Sequence, residues 1–297
     1  MPLGIGDDAA VVTTPQGTCV VSTDMLMEGV DFLIAPAAEP HPGIPAVGGR
    51  LIGRKAVAVN LSDMAAMAAR PTAIFASLAL PQARGTAFAH ELMDGIREAA
   101  EEWDVVLAGG DTNSWQGPCV VSLTVLGDIT SGRAVLRSGG RVGDWLFVTG
   151  ALGGSLSGRQ FHFRPRVAEA ILLHQTVELR AMLDLSDGLA GDVRHLFATE
   201  SPGPRGALFD AASIPIHSDV PEQQTADERL RQALTDGEDF ELLFAVSPTE
   251  GQRLVAQSPF ETPVTKIGEL TATPGLVLRE STGTQRELPW QGWTHRW

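Results

Sequence analysis

Six short clusters set carboxylates beside small residues: Gly6-Asp7-Asp8, Ser22-Thr23-Asp24, Asn60-Leu61-Ser62-Asp63, Gly109-Gly110-Asp111-Thr112, Asp184-Leu185-Ser186-Asp187-Gly188 and Gly237-Glu238-Asp239. Most follow an apolar segment directly, which would put the acids at strand ends where loops converge. Mg²⁺ takes hard oxygen ligands and binds through one or two carboxylates together with waters and substrate phosphates. Several converging clusters would hold several ions around a polyphosphate, and the chemistry this implies is phosphoryl transfer. Each cluster alone is more simply a turn or a helix N-cap, and Asp63 and Asp187 fit caps of helices that follow them. Recurrence carries the argument: carboxylates gathered without cations repel one another, and the chain has two lysines only, Lys55 and Lys266.

Other chemistries are set aside by what is missing. A formal net charge of −14 over 297 residues argues against a nucleic-acid surface, because phosphate backbones are met by clustered Lys and Arg. A P-loop needs Gly-Lys followed by Ser or Thr, and neither lysine stands in such a run. Residues 4–9, Gly-Ile-Gly-Asp-Asp-Ala, match a dinucleotide fingerprint superficially, but β-favouring Val11-Val12 follows where a helix should open. Cys19 and Cys119 sit in apolar runs and read as free thiols in strands. His162 and His195 lack spaced partners and are given no role. The N-terminus has neither the basic start nor the apolar run of a secretory leader, and no stretch of about 18 apolar residues occurs. These features predict a cytoplasmic protein with no membrane contact.

The elements that must position the acids read as α/β. Strands are expected at residues 10–12, 19–22, 73–80, 119–126, 145–148, 241–246 and 264–267. Apolar residues at helical spacing over 88–103 predict an amphipathic helix covering a sheet. Helical spacing also extends over 167–183, a further helix should follow residues 184–188, and 202–205 and 218–226 read as loops. The glycine-rich stretch 127–143 marks a boundary, giving an N-terminal domain over 1–131 and a C-terminal domain over 144–297.

Taken in order, residues 4–12, 21–32, 56–67, 109–112, 132–145, 184–189, 236–244 and 266–270 resemble the thiamine-monophosphate kinase family. That family lies within a wider group of ATP-binding enzymes that includes aminoimidazole ribonucleotide synthetase. The combination of 60–67, 184–189 and 237–242 is specific to these kinases. The resemblance implies a two-domain α/β (α+β) fold, an N-terminal sheet paired with a second subunit in a homodimer, and an active site in the cleft between domains. The implied reaction is direct in-line transfer from ATP to thiamine monophosphate with several Mg²⁺ ions. Carried over, Asp8, Ser22, Thr23, Asp24, Asp63, Asp111, Asp184 and Asp187 would hold magnesium. Gly110, Asp111, Arg137 and Ser186 would contact ATP, and Asp63, Asp111 and Arg137 would carry catalysis. Asp31, Glu238 and Trp297 would face the substrate. Asp31 stands where the family commonly has a histidine. The family usually has a further helix before residue 4, and its counterpart of residues 153–166 is longer, so a helix of the second domain is expected to be reduced. Two other readings stay open: a related enzyme with a different small substrate, and a nucleotide- and metal-binding homologue without turnover.

Overall fold

The computed structural model describes residues 3–15, 17–36, 45–197, 203–257 and 259–293. Strands β1 (Ala10–Thr14) and β2 (Gly17–Met27) form a hairpin. The short pair β3 (Leu33–Ile34) and β4 (Ala46–Val47) leads into helix α1 (Gly49–Ala66). Strand β5 (Ala69–Pro81), helix α2 (Gly85–Glu102), β6 (Val106–Trp115) and β7 (Val120–Ile129) complete a five-stranded sheet in the order β1-β2-β7-β5-β6. Along β2, β5 and β7 the side chains alternate: Val20, Leu26, Ile74, Leu78, Leu123 and Val125 are buried beneath α1 and α2. The opposite face, with Met25 and Phe75, has no covering element among the described residues. This period of two is what a sheet with one packed face requires.

A second sheet follows, built from β8 (Trp145–Thr149), β9 (Leu179–Asp184), β10 (Gly206–Asp210), β11 (Leu242–Val246), β12 (Val264–Thr271), β13 (Gly275–Arg279) and β14 (Gln285–Leu288). Its order is β14-β13-β10-β12-β8-β11-β9, antiparallel except for the β10–β13 pair. Helices α3 (Val167–Thr176) and α6 (Pro248–Ala256) cover one face, with α4 (Leu189–Asp192) and α5 (Ala226–Thr235) on the other. Both faces being covered, β8 and β11 read as continuous apolar runs. Leu146 and Val148 point to one core while Phe147 stacks on Phe244 in the other, ring centroids 5.5 Å apart. Residues 153–166 hold two single 3₁₀ turns, Ser155–Ser157 and Arg159–Phe161, and no α-helix.

Three expectations are corrected. Residues 167–183 are not one helix: α3 ends at Thr176, and the buried run from Leu179 pairs with β11 as an edge strand. Residues 60–63 do not end a strand but lie inside α1, and residues 109–112 lie within β6. Helix α1 escaped notice because it touches the first sheet, α2, α3 and β9 together. With 14 of its 18 residues buried, it has no polar face to give a helical period. Cys119 is buried and Cys19 half-buried, both as free thiols; burial pushes the Cys119 thiol up to about 12.

Candidate functional site

The acids converge where α1 runs between the two sheets. Asp8 precedes β1, Ser22 and Asp24 lie on β2, Asp63 lies in the last turns of α1, and Asp184 ends β9. One carboxylate oxygen each from Asp8, Asp63 and Asp184 lies within 4.8 Å of the others. Neighbouring hydroxyls hold this group: Ser22 Oγ donates to Asp63 Oδ2, and Ser62 Oγ donates to Asp184 Oδ2 at 2.5 Å. The Asp24 amide donates to Asn60 Oδ1 at 3.3 Å, and Asn60 Nδ2 donates to the Ala56 carbonyl, fixing the amide's orientation.

Electrostatics at this point are unfavourable for carboxylates alone. Burial, then Asp184, Asp31 and Glu238, pushes Asp24 up to about 6. Burial raises Asp63 well above the usual carboxylate range, with Asp24, Asp184 and Asp8 adding to it. Asp8 is raised in the same way by burial and Asp184. Asp184 is raised by burial against the opposing pull of Ser62 and Arg137. Arg137, in the linker between the sheets, opposes the rise at Asp8 and Asp184: its Nη2 lies 2.6 Å from Asp8 Oδ1, and its amide donates to both oxygens of Asp7 at 3.0 and 3.2 Å. Asp8 Oδ2 is buried with no hydrogen-bond partner. A compact group of hard oxygen donors, mutually repelling and including an orphaned oxygen, fits a divalent cation of the Mg²⁺ kind.

The other expected residues fall into separate places. Asp187 and Ser186 lie in the loop after β9, where the Asp187 amide donates to Asp192 Oδ2 at 3.0 Å and the Ser186 carbonyl accepts from the Glu238 amide at 2.8 Å. The Thr23 hydroxyl donates to the Leu123 carbonyl across the sheet and is not among the cluster's hydrogen bonds. Gly110 and Asp111 are exposed on edge strand β6, with Asn113 Nδ2 donating to Asp111 Oδ2. In register, Asp24 faces Leu123, Leu123 faces Ala76 and Ala76 faces Gly110. Gly110 therefore lies three strand spacings from Asp24, about 14 Å. Gly110 is required there, since a Cβ would stand 1.8 Å from the Ala76 carbonyl oxygen. The Asp31 carboxylate accepts from the Met27 amide at 2.7 Å. Trp297 lies outside the described residues.

Sequence reasoning assigned nothing to Asp192 or Lys55. Asp192 is buried on α4 and pushed up to about 8 by burial and by Asp187. Its task, accepting a backbone amide of the acidic loop, leaves no signature in spacing. Lys55 is completely buried in α1; its place at the head of the apolar run Ala56-Val57-Ala58-Val59 was the available signal.

Known proteins resemble the chain along most of its length. Residues 6–129 match the family described as AIR synthase related protein, N-terminal domain. A thiamine-monophosphate kinase of Rhodopirellula baltica is 38% identical over 99% of this chain and 91% of its own length. A crystal structure of thiamine-monophosphate kinase from Stenotrophomonas maltophilia K279a is 30% identical, with a TM-score of 0.73 over 93% of this chain and 90% of the other. The structure described as AaThiL complexed with AMPPCP and TMP has a TM-score of 0.79 over 98% of this chain and 92% of the other; at 24% identity that likeness is one of fold.

Proposed function

The chain belongs to the thiamine-monophosphate kinase family, and from that premise we propose that it transfers the γ-phosphoryl group of ATP to the phosphate of thiamine monophosphate, forming thiamine diphosphate. The observation that carries the reading is the meeting of Asp8, Asp63 and Asp184, from three separate segments, within 4.8 Å. The fold neighbour described as complexed with AMPPCP and TMP supports a fold that takes both a nucleotide and a second ligand.

Asp8, Asp24, Asp63 and Asp184, with Ser22 beside them and Asp187 and Thr23 at the margin, are the residues that would hold Mg²⁺. When bound, such ions neutralise phosphate charge and orient the reacting oxygens. Arg137 supplies a fixed guanidinium beside Asp8, positioned to meet a nucleotide phosphate. Ser186 lies in the loop between Asp184 and Asp187, at the nucleotide side. Gly110 and Asp111 take the far end, at a separation an extended nucleoside triphosphate can span, so Asp111 would serve an ion carried on the nucleotide. Glu238 would face the cationic ring system of the acceptor, and Asp31 belongs to the same end. No general base is needed: a phosphate monoester oxygen is largely ionised near pH 7. Direct in-line attack then follows from positioning alone.

We read the chain as two domains, 1–131 and 144–297; the family match ending at residue 129 and the two separate sheets support this. We also read it as a homodimer joined through the bare face and edge of the first sheet. Met25, Phe75, Val106 and Trp115, 58%, 40%, 64% and 46% exposed, support this as a face that a second copy covers. No helix among the described residues is long and apolar enough to cross a membrane, and ATP as donor suits a cytoplasmic enzyme.

The test is thiamine diphosphate formation from thiamine monophosphate, ATP and Mg²⁺, with Asp63→Asn and Asp111→Asn as controls. Product that both substitutions abolish is expected. Absence of product from the unsubstituted protein would sink the reading.

A further inference from the structure

Helix α1 carries two kinds of buried polar group. Asp63 and Ser62 serve the acidic site, and Lys55 lies eight residues earlier, about 12 Å back along the helix axis. Lys55 is 0% exposed, and an ammonium so placed must be matched by partners. Four surround it. Its Nζ lies 2.5 Å from the Glu238 carboxylate, donates to Gln160 Oε1 at 2.5 Å and to the Asp31 carbonyl at 3.1 Å, and stands 5.1 Å from the centre of the Phe161 ring. Three of these partners come from the second half of the chain and one from the segment after β2.

Glu238 needs holding. Its φ is +66°, and Phe240 two residues on has φ +51°, conformations that L side chains adopt only when surrounding contacts impose them. The backbone of this turn is fixed by the Glu238 amide on the Ser186 carbonyl and by Ser155 Oγ donating to the Glu238 carbonyl. For the side chain, Lys55 is the one ion-pair partner among the described residues.

We propose that Lys55 is a positioning residue for acceptor recognition: it fixes the Glu238 carboxylate at a set distance from the acidic group, so that α1 spaces the end that transfers phosphoryl from the end that recognises the organic cation of the acceptor. This rests on the kinase reading above. Its consequence is selective, because Lys55 touches the acceptor end and no residue of the acidic group.

The experiment compares Lys55→Met, similar in length and without charge, with the unsubstituted enzyme. The KM for thiamine monophosphate is expected to rise at least tenfold while the KM for ATP and the Mg²⁺ half-saturation stay within twofold. In a Glu238→Gln background, itself raised in KM, adding Lys55→Met is expected to change the KM less than twofold, the signature of two residues acting as one unit. If Lys55→Met alone does not fold, the double variant, which removes both charges of the pair, is still compared with Glu238→Gln. An unchanged acceptor KM in Lys55→Met, an equal rise for ATP and acceptor, or multiplicative effects in the double variant would overturn the role. Unsubstituted protein that phosphorylates no thiamine monophosphate overturns the kinase reading instead, whereas normal turnover with an unaffected Lys55→Met overturns Lys55 alone.

Discussion

Asp63 joins two demands that pull in opposite directions. Its carboxylate is raised well above the usual range by burial and by Asp24, Asp184 and Asp8, so in the absence of cations it works against the fold. Asp63→Asn is therefore expected to raise the melting temperature measured in EDTA while lowering turnover at least a hundredfold. A fall in that melting temperature would show that the carboxylate is held by something other than cations. Ser62 gives the contrasting case. It is 1% exposed, and its hydroxyl is a donor to Asp184 at 2.5 Å; Ser62→Ala leaves a buried oxygen short of a donor, a loss of about 1–3 kcal/mol. Denaturant melts in EDTA should show it, and an unchanged midpoint would mean the hydrogen bond contributes nothing. The acids themselves were legible, since Asp beside Gly or Ser recurs at each segment that reaches the site. Ser62 and Asn60 were visible only as companions of Asp63, because what matters about them is the partner across the fold.

Legibility falls at the scale of elements, and for identifiable reasons. β2, β5, β7 and α2 each bury one face, so their periods of two and 3.6 stand out. α1 is buried nearly all round, and its residues 60–63 could be placed only as a cluster. Residues 177–183 carry no strand signal because the last four residues of β9 are all buried and leave no alternation to mark it; pairing with β11 makes it a strand. The contact between α1 and α2 is made through glycine: a Cβ on Gly53 would lie 2.3 Å from the Leu92 carbonyl oxygen, and one on Gly95 would lie 2.1 Å from that of Arg50. Alanine favours an isolated helix by about 1 kcal/mol over glycine, but forcing these backbones apart costs about 1–3 kcal/mol. Because the obstructing atoms are backbone, overpacking should win. Gly53→Ala is expected to lower the melting temperature by several degrees, at roughly 2–4 °C per kcal/mol, and a rise would mean the helices can separate without penalty. Since α1 bears Asp63, turnover should fall with it.

At the scale of the whole molecule, the glycine-rich stretch read as a boundary lies between the two large sheets, whereas strand order had no local signal, since nothing local places β14 and β9 at opposite edges. What the assembled molecule adds is a charge balance: among the described residues, Asp7, Asp8, Asp24, Asp63, Asp184, Asp187 and Asp192 raise one another's titration, and Arg137 opposes this at Asp7, Asp8 and Asp184. The unfolded carboxyls titrate near 3.8, while in the fold Asp24 titrates at about 6 and Asp192 at about 8, with Asp8, Asp63 and Asp184 also raised. Between about pH 4 and pH 8 the folded, cation-free chain thus retains protons that the unfolded chain has released. Stability must fall as pH rises through that window, the reverse of a carboxylate stabilised by an ion pair. Mg²⁺ competes for the same oxygens as those protons. Its stabilising effect should be small at pH 5.5, where protons already occupy the site, and large at pH 8, where binding adds free energy to the native state alone. Thermal melts at the two pH values, each in EDTA and in excess MgCl₂, give the check. The expected pattern is a higher EDTA melting temperature at pH 5.5 than at pH 8, and a Mg²⁺ shift larger at pH 8. An EDTA melting temperature that instead climbs from pH 5.5 to pH 8 would mean the acids are already compensated within the chain, and the case for a cation-built site would fail.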